Sequence, residues 1–490
     1  MKKYIALVLL SFVFISCSDP HGEQNGYIKI ALENFPTSLD PRVGTDQVSQ
    51  RMHQLLYRGL LKRERNGSLS PDIAEKFWRE GKDRFVFELR KGIKFSNGKE
   101  ITAKDVAYTY NSILQGKIRT IRKGALWMIK EVSASENMVI FKLKKPYSSF
   151  PINATLGIVP EGADEDFGKH PVSSGAYFLY KREKEAFFLK PNPFQYGVKN
   201  NGIIVKIIPD EVTRALELKN SGIDIVVNGF TPDIIEELKK DKELEIKRGQ
   251  GGNFAYIGIN FADPVLRNRK IRLALGYSIN RDEIIKYLMR GYAKPANSVL
   301  PPYLWAYEPD VFTLHYSPES ARKLIKEAGY SNLTLHFSCA ATRLSRELSQ
   351  ILKAQMEKAG INLKTDCSEF SSFYMNIVKG NFQLYFLMWV GISDPDIFRY
   401  IFHSESIPPN GANRGRYINP EIDRLIEKAE VTYELRERKR IYSLIQKIIA
   451  EELVYIPLWY PDSVAVFRKG LKGVKVYPNG DLTFIKDVTY

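Results

Sequence analysis

The chain has 490 residues, of which 44% are hydrophobic and 26% are charged, so it is long enough for about three domains with buried cores. Gly and Pro, with 33 and 25 residues, are too few for a low-complexity or disordered chain. Only residues 4–15 form a long apolar run, which is shorter than the ~20 residues that span a bilayer. The composition therefore excludes a multi-span membrane protein and a mainly disordered one.

The net charge of +16 would by itself suggest nucleic-acid binding. The basic residues, however, alternate with acidic ones, as in residues 181–185 and 239–248, and no nucleic-acid motif with the required spacing occurs. We therefore expect no nucleic-acid partner. The excess of positive charge suits an anionic membrane surface.

The N-terminus has the organisation of a bacterial export signal. Two lysines precede the apolar run, and a small residue and Cys17 follow it. This order resembles a lipoprotein processing site, at which the Cys is lipidated and becomes the new N-terminus. We expect a signal peptide at residues 1–16 and a lipidated tether at 17–26, so that the protein is anchored to a membrane and faces the periplasm or cell exterior. An ordinary signal peptide with a chance Cys is the alternative.

The next part of the chain is predicted to be rich in β-strands. Alternating apolar residues predict strands at residues 27–31, 85–89 and 139–143, and Asn66-Gly67 and Asn97-Gly98 predict hairpin turns. Residues 102–105 predict a capped helix entry.

From residue 203 the pattern changes to alternating strands and helices. A strand at 203–208, a helix at 211–220 and a strand at 223–227 predict a parallel sheet. Further predicted elements are helices at 270–290 and 317–328, a strand at 384–389, and helices at about 420–432 and 434–452.

Two cysteines occupy matching positions on two predicted parallel strands. Residues 333–339 and 361–367 flank a predicted helix at 345–359 and end in Cys339 and Cys367. We expect both thiols at the carboxyl ends of neighbouring strands. A disulfide between them and two buried free thiols are both compatible with this placement in an exported protein.

Signatures of catalysis are absent from the sequence. It contains no Gly-x-Ser-x-Gly elbow, no phosphate-binding loop and no His-Glu-x-x-His, and its six histidines lie at no recognised metal-site spacing. We expect neither an enzyme nor a bound cofactor or metal. With 27 Tyr and 27 Phe, the chain has enough aromatic residues to line a ligand cleft as well as fill its cores.

The sequence contains, in this order, Ser38-Leu39-Asp40-Pro41, residues 56–60, 71–75 and 102–106, and Asp394-Pro395. This series of motifs resembles the bacterial extracellular solute-binding proteins of family 5, the receptors of oligopeptide, dipeptide and nickel ABC importers. The resemblance implies a two-lobed α/β fold of the class II periplasmic-binding-protein type, with an extra β-rich subdomain on the first lobe. It places lobe I at 27–55, 170–262 and 472–490, the extra subdomain at 56–169, and lobe II at 263–471.

The resemblance also implies a function without chemistry. We expect a monomeric binding lipoprotein that captures peptides or peptide-like solutes between its lobes and delivers them to the ABC permease subunits. Two alternatives stay open. One is a receptor for a non-peptide solute such as a sugar, a metal chelate or haem, and the other is an exported chaperone-like or adhesive lipoprotein that has kept the fold.

The same comparison suggests where a ligand is held. The candidate contacts are Glu33, Asn34, Phe35 and Tyr108 on the first lobe, and Trp389, Val390, Gly391 and Asp394 on the second. Trp389 is either a wall of the site or a core residue at a strand end. Arg343 or Arg346 is either the partner of a ligand carboxylate or a solvated residue at a helix entry.

The chain departs from the family pattern in four places. Peptide binders of this family often hold the peptide's α-ammonium with an Asp three residues after the Trp, whereas this chain has Ile392 there. Met388 replaces the Gly that commonly precedes the Trp. Residues 173–177 and Asn280 also differ, in ways expected to concern scaffold packing. Recognition of a free amino terminus is therefore the property most in question.

Overall fold

The structure is a computed structural model that describes residues 26–195 and 197–490. The predicted signal peptide and lipidated Cys17 lie outside the described residues. No helix within the described residues is long and apolar enough to cross a membrane.

The described residues form nineteen strands and thirteen α-helices. The strands are β1 (Ile28–Leu32), β2 (Leu61–Arg63), β3 (Leu69–Pro71), β4 (Ala74–Glu80), β5 (Arg84–Leu89), β6 (Ile129–Ser135), β7 (Met138–Leu143), β8 (Tyr177–Arg182), β9 (Ala186–Pro191), β10 (Ile203–Ile207), β11 (Ile225–Val227), β12 (Leu244–Gly249), β13 (Phe254–Ile259), β14 (Ala293–Pro295), β15 (Leu333–Ala340), β16 (Ile361–Ser368), β17 (Leu384–Trp389), β18 (Tyr455–Pro461) and β19 (Ser463–Arg468). The helices are α1 (Gln47–Leu56), α2 (Ala103–Leu114), α3 (Arg122–Ala125), α4 (Glu211–Lys219), α5 (Pro232–Leu238), α6 (Arg269–Tyr277), α7 (Arg281–Tyr287), α8 (Pro318–Glu327), α9 (Arg343–Lys358), α10 (Phe370–Lys379), α11 (Ile397–Phe402), α12 (Pro420–Val431) and α13 (Leu435–Glu452).

Lobe I is built on a seven-stranded sheet in the order β12-β19-β11-β1-β10-β9-β8. Its central strand β1 pairs in parallel with both β10 and β11. The predicted βαβ unit is therefore present, with β1 inserted between its two strands. Residues from α1 and from the C-terminal stretch 471–488 cover one face of this sheet with apolar side chains, and residues from α4 and α5 cover the other.

The extra subdomain is a four-stranded antiparallel sheet in the order β4-β5-β7-β6. Helix α2 packs against it, and its core holds a cluster of contacting aromatic rings that includes Phe87, Tyr110, Phe141 and Phe150. The helix begins where the sequence predicts, since the Thr102 amide donates to the Asp105 carboxylate at 2.8 Å.

Lobe II is built on a six-stranded sheet in the order β14-β18-β13-β17-β15-β16. Separate apolar clusters cover its two faces. Strands β15 and β16 are parallel and in register from Leu333 and Ile361 to Cys339 and Cys367, which confirms the pairing predicted for the two cysteine strands.

Within the described residues the chain passes between the two large sheets twice. The first passage lies between β12 and β13, at residues 250–253, and the second lies at Asp462 between β18 and β19. Both lie earlier in the chain than the predicted lobe boundaries at 262 and 471. The apolar pattern of a strand identifies the strand but does not reveal which sheet it joins.

The segment predicted as one helix at 270–290 is two helices with a break at residues 278–280. The break is stabilised locally, because the Ser278 hydroxyl donates to the Leu275 carbonyl and the Asn280 side chain caps α7 by accepting from the Glu283 amide. Asn280, one of the departures from the family pattern, therefore serves the scaffold, as the sequence predicts.

Candidate ligand-binding site

Trp389, the last residue of β17, packs against the core of lobe II but is not fully buried. Its indole is half-buried and stacks on Tyr256 at 6.2 Å between ring centroids. On its other side Tyr400, 49% exposed, meets the indole edge-on at 6.2 Å. The next residue, Val390, is 57% exposed. Trp389 is thus both a core residue and part of an exposed aromatic surface.

The segment after Trp389 is fastened to the first passage between the sheets. The Gly391 amide donates to the Asn253 side chain at 2.9 Å, and the Ile392 amide donates to the Gly252 carbonyl at 3.1 Å. Gly391 has φ +65°, a conformation that favours glycine. A movement of the connection between the lobes would therefore shift this segment.

Ile392 offers no charge at the position where peptide binders often place an Asp. Its side chain is buried in an apolar cluster of lobe II, and its carbonyl accepts a hydrogen bond from the Tyr303 hydroxyl. The segment from Gly391 to Ile392 therefore offers no carboxylate to a ligand.

On lobe I the predicted contacts Glu33, Asn34 and Phe35 follow the central strand β1. Asn34 is exposed, and Phe35 is 44% exposed with its ring edge-on to Phe187 at 6.4 Å. The Glu33 carboxylate pairs with the buried Arg51 at 3.3 Å. The end of β1 therefore offers an amide and an aromatic ring, whereas its carboxylate already has a partner.

Two predicted contacts are occupied by bonds within the protein. The Tyr108 hydroxyl donates to the Ala163 carbonyl at 2.7 Å, and its ring packs against the lobe I core. Asp394 is half-buried beside Ser149 of the extra subdomain, with 3.5 Å between the hydroxyl and carboxylate oxygens. Burial raises the pKa of Asp394, while Arg438 and Arg63 act in the opposite direction. The side-chain polar groups of both residues already serve the scaffold.

The two predicted arginines lie at the start of α9 and are exposed. Arg343 forms ion pairs with Asp233 of α5 and with Glu347, both at 2.8 Å. Since α5 follows a lobe I strand, the pair with Asp233 connects the lobes. Arg343 therefore already has two carboxylate partners. Arg346, on the same helix, is an exposed cation.

Contacts between the extra subdomain and lobe II were not foreseen from the sequence. The Ser148 amide donates to the Glu430 carbonyl at 2.6 Å, and the Tyr147 amide donates to the Tyr433 hydroxyl at 3.0 Å. Nearby, the Arg438 guanidinium donates to the Ser149 hydroxyl. These bonds join distant parts of the chain, so no local sequence pattern predicts them. They hold the two lobes in contact at helices α12 and α13.

A cavity of about 590 Å³ lies where the β2–β3 hairpin, the first passage between sheets, lobe II and the C-terminal return meet. It is lined by Glu64, Arg65, Asn66, Ser68, Gln250, Tyr303, Val476 and Pro478. None of the predicted contacts lines this cavity. Polar and apolar groups contribute about equally to its lining, so a ligand there would remain partly hydrated.

The sulfur atoms of Cys339 and Cys367 are joined, with 4.4 Å between the Cα atoms. Within residues 26–195 and 197–490 no group of three or more His, Cys, Asp or Glu side chains is arranged to hold a metal ion.

Comparison with known proteins identifies the family. Residues 68–409 match the family described as bacterial extracellular solute-binding proteins, family 5. The chain is 26% identical to the oligopeptide-binding protein AppA of Bacillus subtilis, over 94% of this chain and 91% of the relative. It is 27% identical to the glutathione-binding protein GsiB of Escherichia coli O1:K1, over 98% and 97% of the two chains.

Solved structures show the same fold. NikZ from Campylobacter jejuni, in complex with Ni(L-His), has a TM-score of 0.80 at 25% identity, and covers 95% of this chain and 99% of its own. CtaP from Listeria monocytogenes has a TM-score of 0.86 at 23% identity with the same coverage. The predicted family and the two-lobed α/β fold are confirmed. The chain belongs to the bacterial extracellular solute-binding proteins of family 5.

Proposed function

We propose that this protein is the substrate-binding lipoprotein of an ABC importer and that it captures peptides or peptide-like solutes between its lobes. The observation that carries the proposal is the arrangement of the site. The backbone segment after Trp389 is bonded to residues 252 and 253, where the chain passes between the lobes. A ligand bound against this segment would therefore be coupled to lobe closure.

The relatives support a peptide ligand. AppA is named as an oligopeptide-binding protein and GsiB as a glutathione-binding protein, and both align over more than nine-tenths of this chain. A peptide can be held by main-chain hydrogen bonds from an exposed backbone segment, with its side chains in hydrated space. The Gly391 and Ile392 amides already donate within the protein, so a peptide would contact this segment mainly at the exposed residues Val390 and Gly391. The cavity of about 590 Å³ leaves hydrated space for side chains.

Binding does not use the usual carboxylate anchor in this proposal. Because Ile392 is apolar and buried, acetylation of a peptide's amino terminus is expected to cost little affinity. An intact carboxylate anchor would lose a charge-assisted bond worth about 1.5 to 3 kcal/mol. A loss of about tenfold or more on acetylation, which is ~1.4 kcal/mol, would show that another acid holds the ammonium.

The rest of the proposal concerns where the protein works. Lipidation at Cys17 would anchor the monomeric protein to a membrane surface, from which it delivers the solute to permease subunits without altering it chemically. A second candidate is a metal-chelate receptor, which the similarity to the Ni(L-His) complex of NikZ favours.

Calorimetry separates the two candidates. The full mature protein is titrated with a mixed peptide library and, in a matched titration, with Ni²⁺ and L-histidine. The peptide proposal predicts heat and saturation only with the library. Saturable binding of the nickel–histidine mixture without peptide binding would replace it with the second candidate.

A further inference from the structure

Arg414 differs from the other buried arginines of the described chain in lacking a strong acceptor. It is 6% exposed, and its guanidinium donates to the Tyr374 hydroxyl at 3.1 Å and interacts with the Tyr385 hydroxyl. No carboxylate in the part of the chain that the structure describes forms an ion pair with it. Each of the other buried arginines either lies near a carboxylate or donates to several backbone carbonyls. These arginines are Arg42, Arg51, Arg214, Arg272 and Arg438.

The loop that carries Arg414 is held in one conformation. The Asn413 side chain, 1% exposed, accepts from the Tyr417 amide at 3.0 Å and donates to the Tyr417 carbonyl at 2.7 Å. Arg416 donates to the Arg414 carbonyl at 3.0 Å. On the other side of Arg414, the Gly415 carbonyl accepts from the Phe261 amide at 2.8 Å. The guanidinium is therefore presented by a fixed backbone, as a binding group needs to be.

Aromatic rings flank the guanidinium and lead from it to the surface. Its central carbon lies 4.8 Å from the Trp389 ring centroid and 5.3 Å from that of Tyr374. Both rings are half-buried, and the neighbouring Val390 and Tyr400 are exposed. The arginine thus lies directly behind the exposed aromatic surface at the end of β17.

Three buried phenol groups surround the same charge. Tyr256, Tyr385 and Tyr455 are each at most 5% exposed. Their hydroxyls interact with one another, with Arg414 and with the Trp389 indole, but within the described residues none of these contacts is a well-formed hydrogen bond. All three lie within electrostatic range of Arg414. Gly258 makes room for one of them, since a Cβ there would lie 2.1 Å from the Tyr385 ring. Burial raises the pKa of each phenol, so each hydroxyl keeps its proton and can donate.

A buried guanidinium stays charged, because the pKa of arginine is too high for it to lose its proton, and an unpaired buried charge is unfavourable. An oxyanion satisfies it best, and a carboxylate fits the planar guanidinium through two parallel hydrogen bonds. The phenol hydroxyls, which lack well-formed hydrogen bonds, can supply further donors. Buried groups of this kind are expected to be hydrogen-bonded in a complete site.

We propose that Arg414 forms a subsite for a carboxylate of the captured solute, with the apolar part of the solute lying against Trp389 and Tyr400. The inference rests on the proposed function and narrows its substrate class to carboxylate-bearing solutes. Of the two arginines predicted near the site, Arg343 is already paired with Asp233 and Glu347, and Arg346 is exposed to solvent rather than buried.

The test compares acids with their amides on folded variants. Random tripeptides with a free carboxyl terminus, the same tripeptides as terminal amides, and inorganic phosphate are titrated into the full mature protein. A second set contains small non-peptide carboxylates, including 3-phenylpropionate and citrate, and their amides. The same titrations are repeated with Arg414→Gln and with the control Arg424→Gln, which removes an exposed arginine of α12.

The parent and the control are expected to bind at least one acid set about tenfold or more tighter than its amides, and Arg414→Gln is expected to lose this preference. Arg414→Lys, which keeps the charge without the planar fork, should weaken the preference and replaces the Gln variant if circular dichroism shows that the latter is unfolded.

Each contrary outcome is distinct. An acid preference that survives in the Arg414 variant, or no acid preference in either set, overturns the carboxylate subsite and leaves the arginine a packing role. Arg414-dependent binding of phosphate alone also overturns it. If only the non-peptide acids show the Arg414-dependent preference, the subsite stands and the peptide proposal fails.

Discussion

Tyr433 connects lobe II to the extra subdomain, so removing its hydroxyl should favour the open form. It lies between α12 and α13, and its hydroxyl accepts from the Tyr147 amide and donates to the Lys82 carbonyl, both at 3.0 Å. Its ring packs against the subdomain core, with the Arg79 guanidinium 3.9 Å from its centroid. The substitution Tyr433→Phe keeps the ring contacts and deletes both bonds.

The size of the effect follows from these two bonds. Each contributes about 0.5 to 1.5 kcal/mol net, and the bond to Lys82 belongs at the low end because it is exposed. Their loss should destabilise the closed form by about 1 to 2 kcal/mol, a factor of roughly 5 to 30. If the solute binds only the closed form, its dissociation constant can rise by up to that factor.

Calorimetry with one bound peptide measures the change, and small-angle X-ray scattering with and without peptide reports the closure. The matched control is Tyr287→Phe, which alters a 58% exposed tyrosine of α7 and should change neither quantity. Equal dissociation constants and equal scattering for Tyr433→Phe and the control would refute the idea that this contact stabilises closure.

Three further predictions concern other parts of the chain. Thiol labelling of the exported, denatured but unreduced protein should find neither Cys339 nor Cys367 free, and reducing a bridge across 28 residues should cost about 3 to 4 kcal/mol of stability; labelling of both contradicts this. Burial and the nearby Glu430 raise the pKa of Asp396 to about 7. Between about pH 4 and 7 the folded state therefore holds a proton that the unfolded state has lost. The free energy of unfolding should fall as the pH rises through this range, by up to ~1.4 kcal/mol per pH unit. Asp396→Asn should flatten this part of the urea-measured pH profile, and an unchanged slope would reject the assignment. Cys17→Ala should move the mature protein to the soluble fraction, whereas continued membrane binding would argue against lipidation.

The elements whose sequence signal is local were predicted well. The matched offsets of Cys339 and Cys367 gave the register of two parallel strands, and the capping residues gave the start of α2. Side-chain partners were harder to predict. Tyr108 follows a recognisable motif, but only the folded chain shows that its hydroxyl is bonded to Ala163.

The groups that matter most at the candidate site depend on contacts between distant segments. Arg414 lies in an irregular loop with no hydrophobic period, and its aromatic neighbours come from separate strands and from α10. A pattern along the chain cannot identify an arginine that lacks a carboxylate partner. The predicted lobe boundaries lie later in the chain than the passages between the two sheets, because periodicity identifies a strand but does not determine which sheet it joins.

Native mass spectrometry of the mature protein, purified from its own host without denaturation, tests the central claim most directly. We predict a bound mass that is released when the protein is denatured and that tandem mass spectrometry resolves into a peptide carrying a carboxylate. A released solute without peptide bonds would contradict the proposal. So would a ligand-free protein that also fails to acquire any member of an added peptide library.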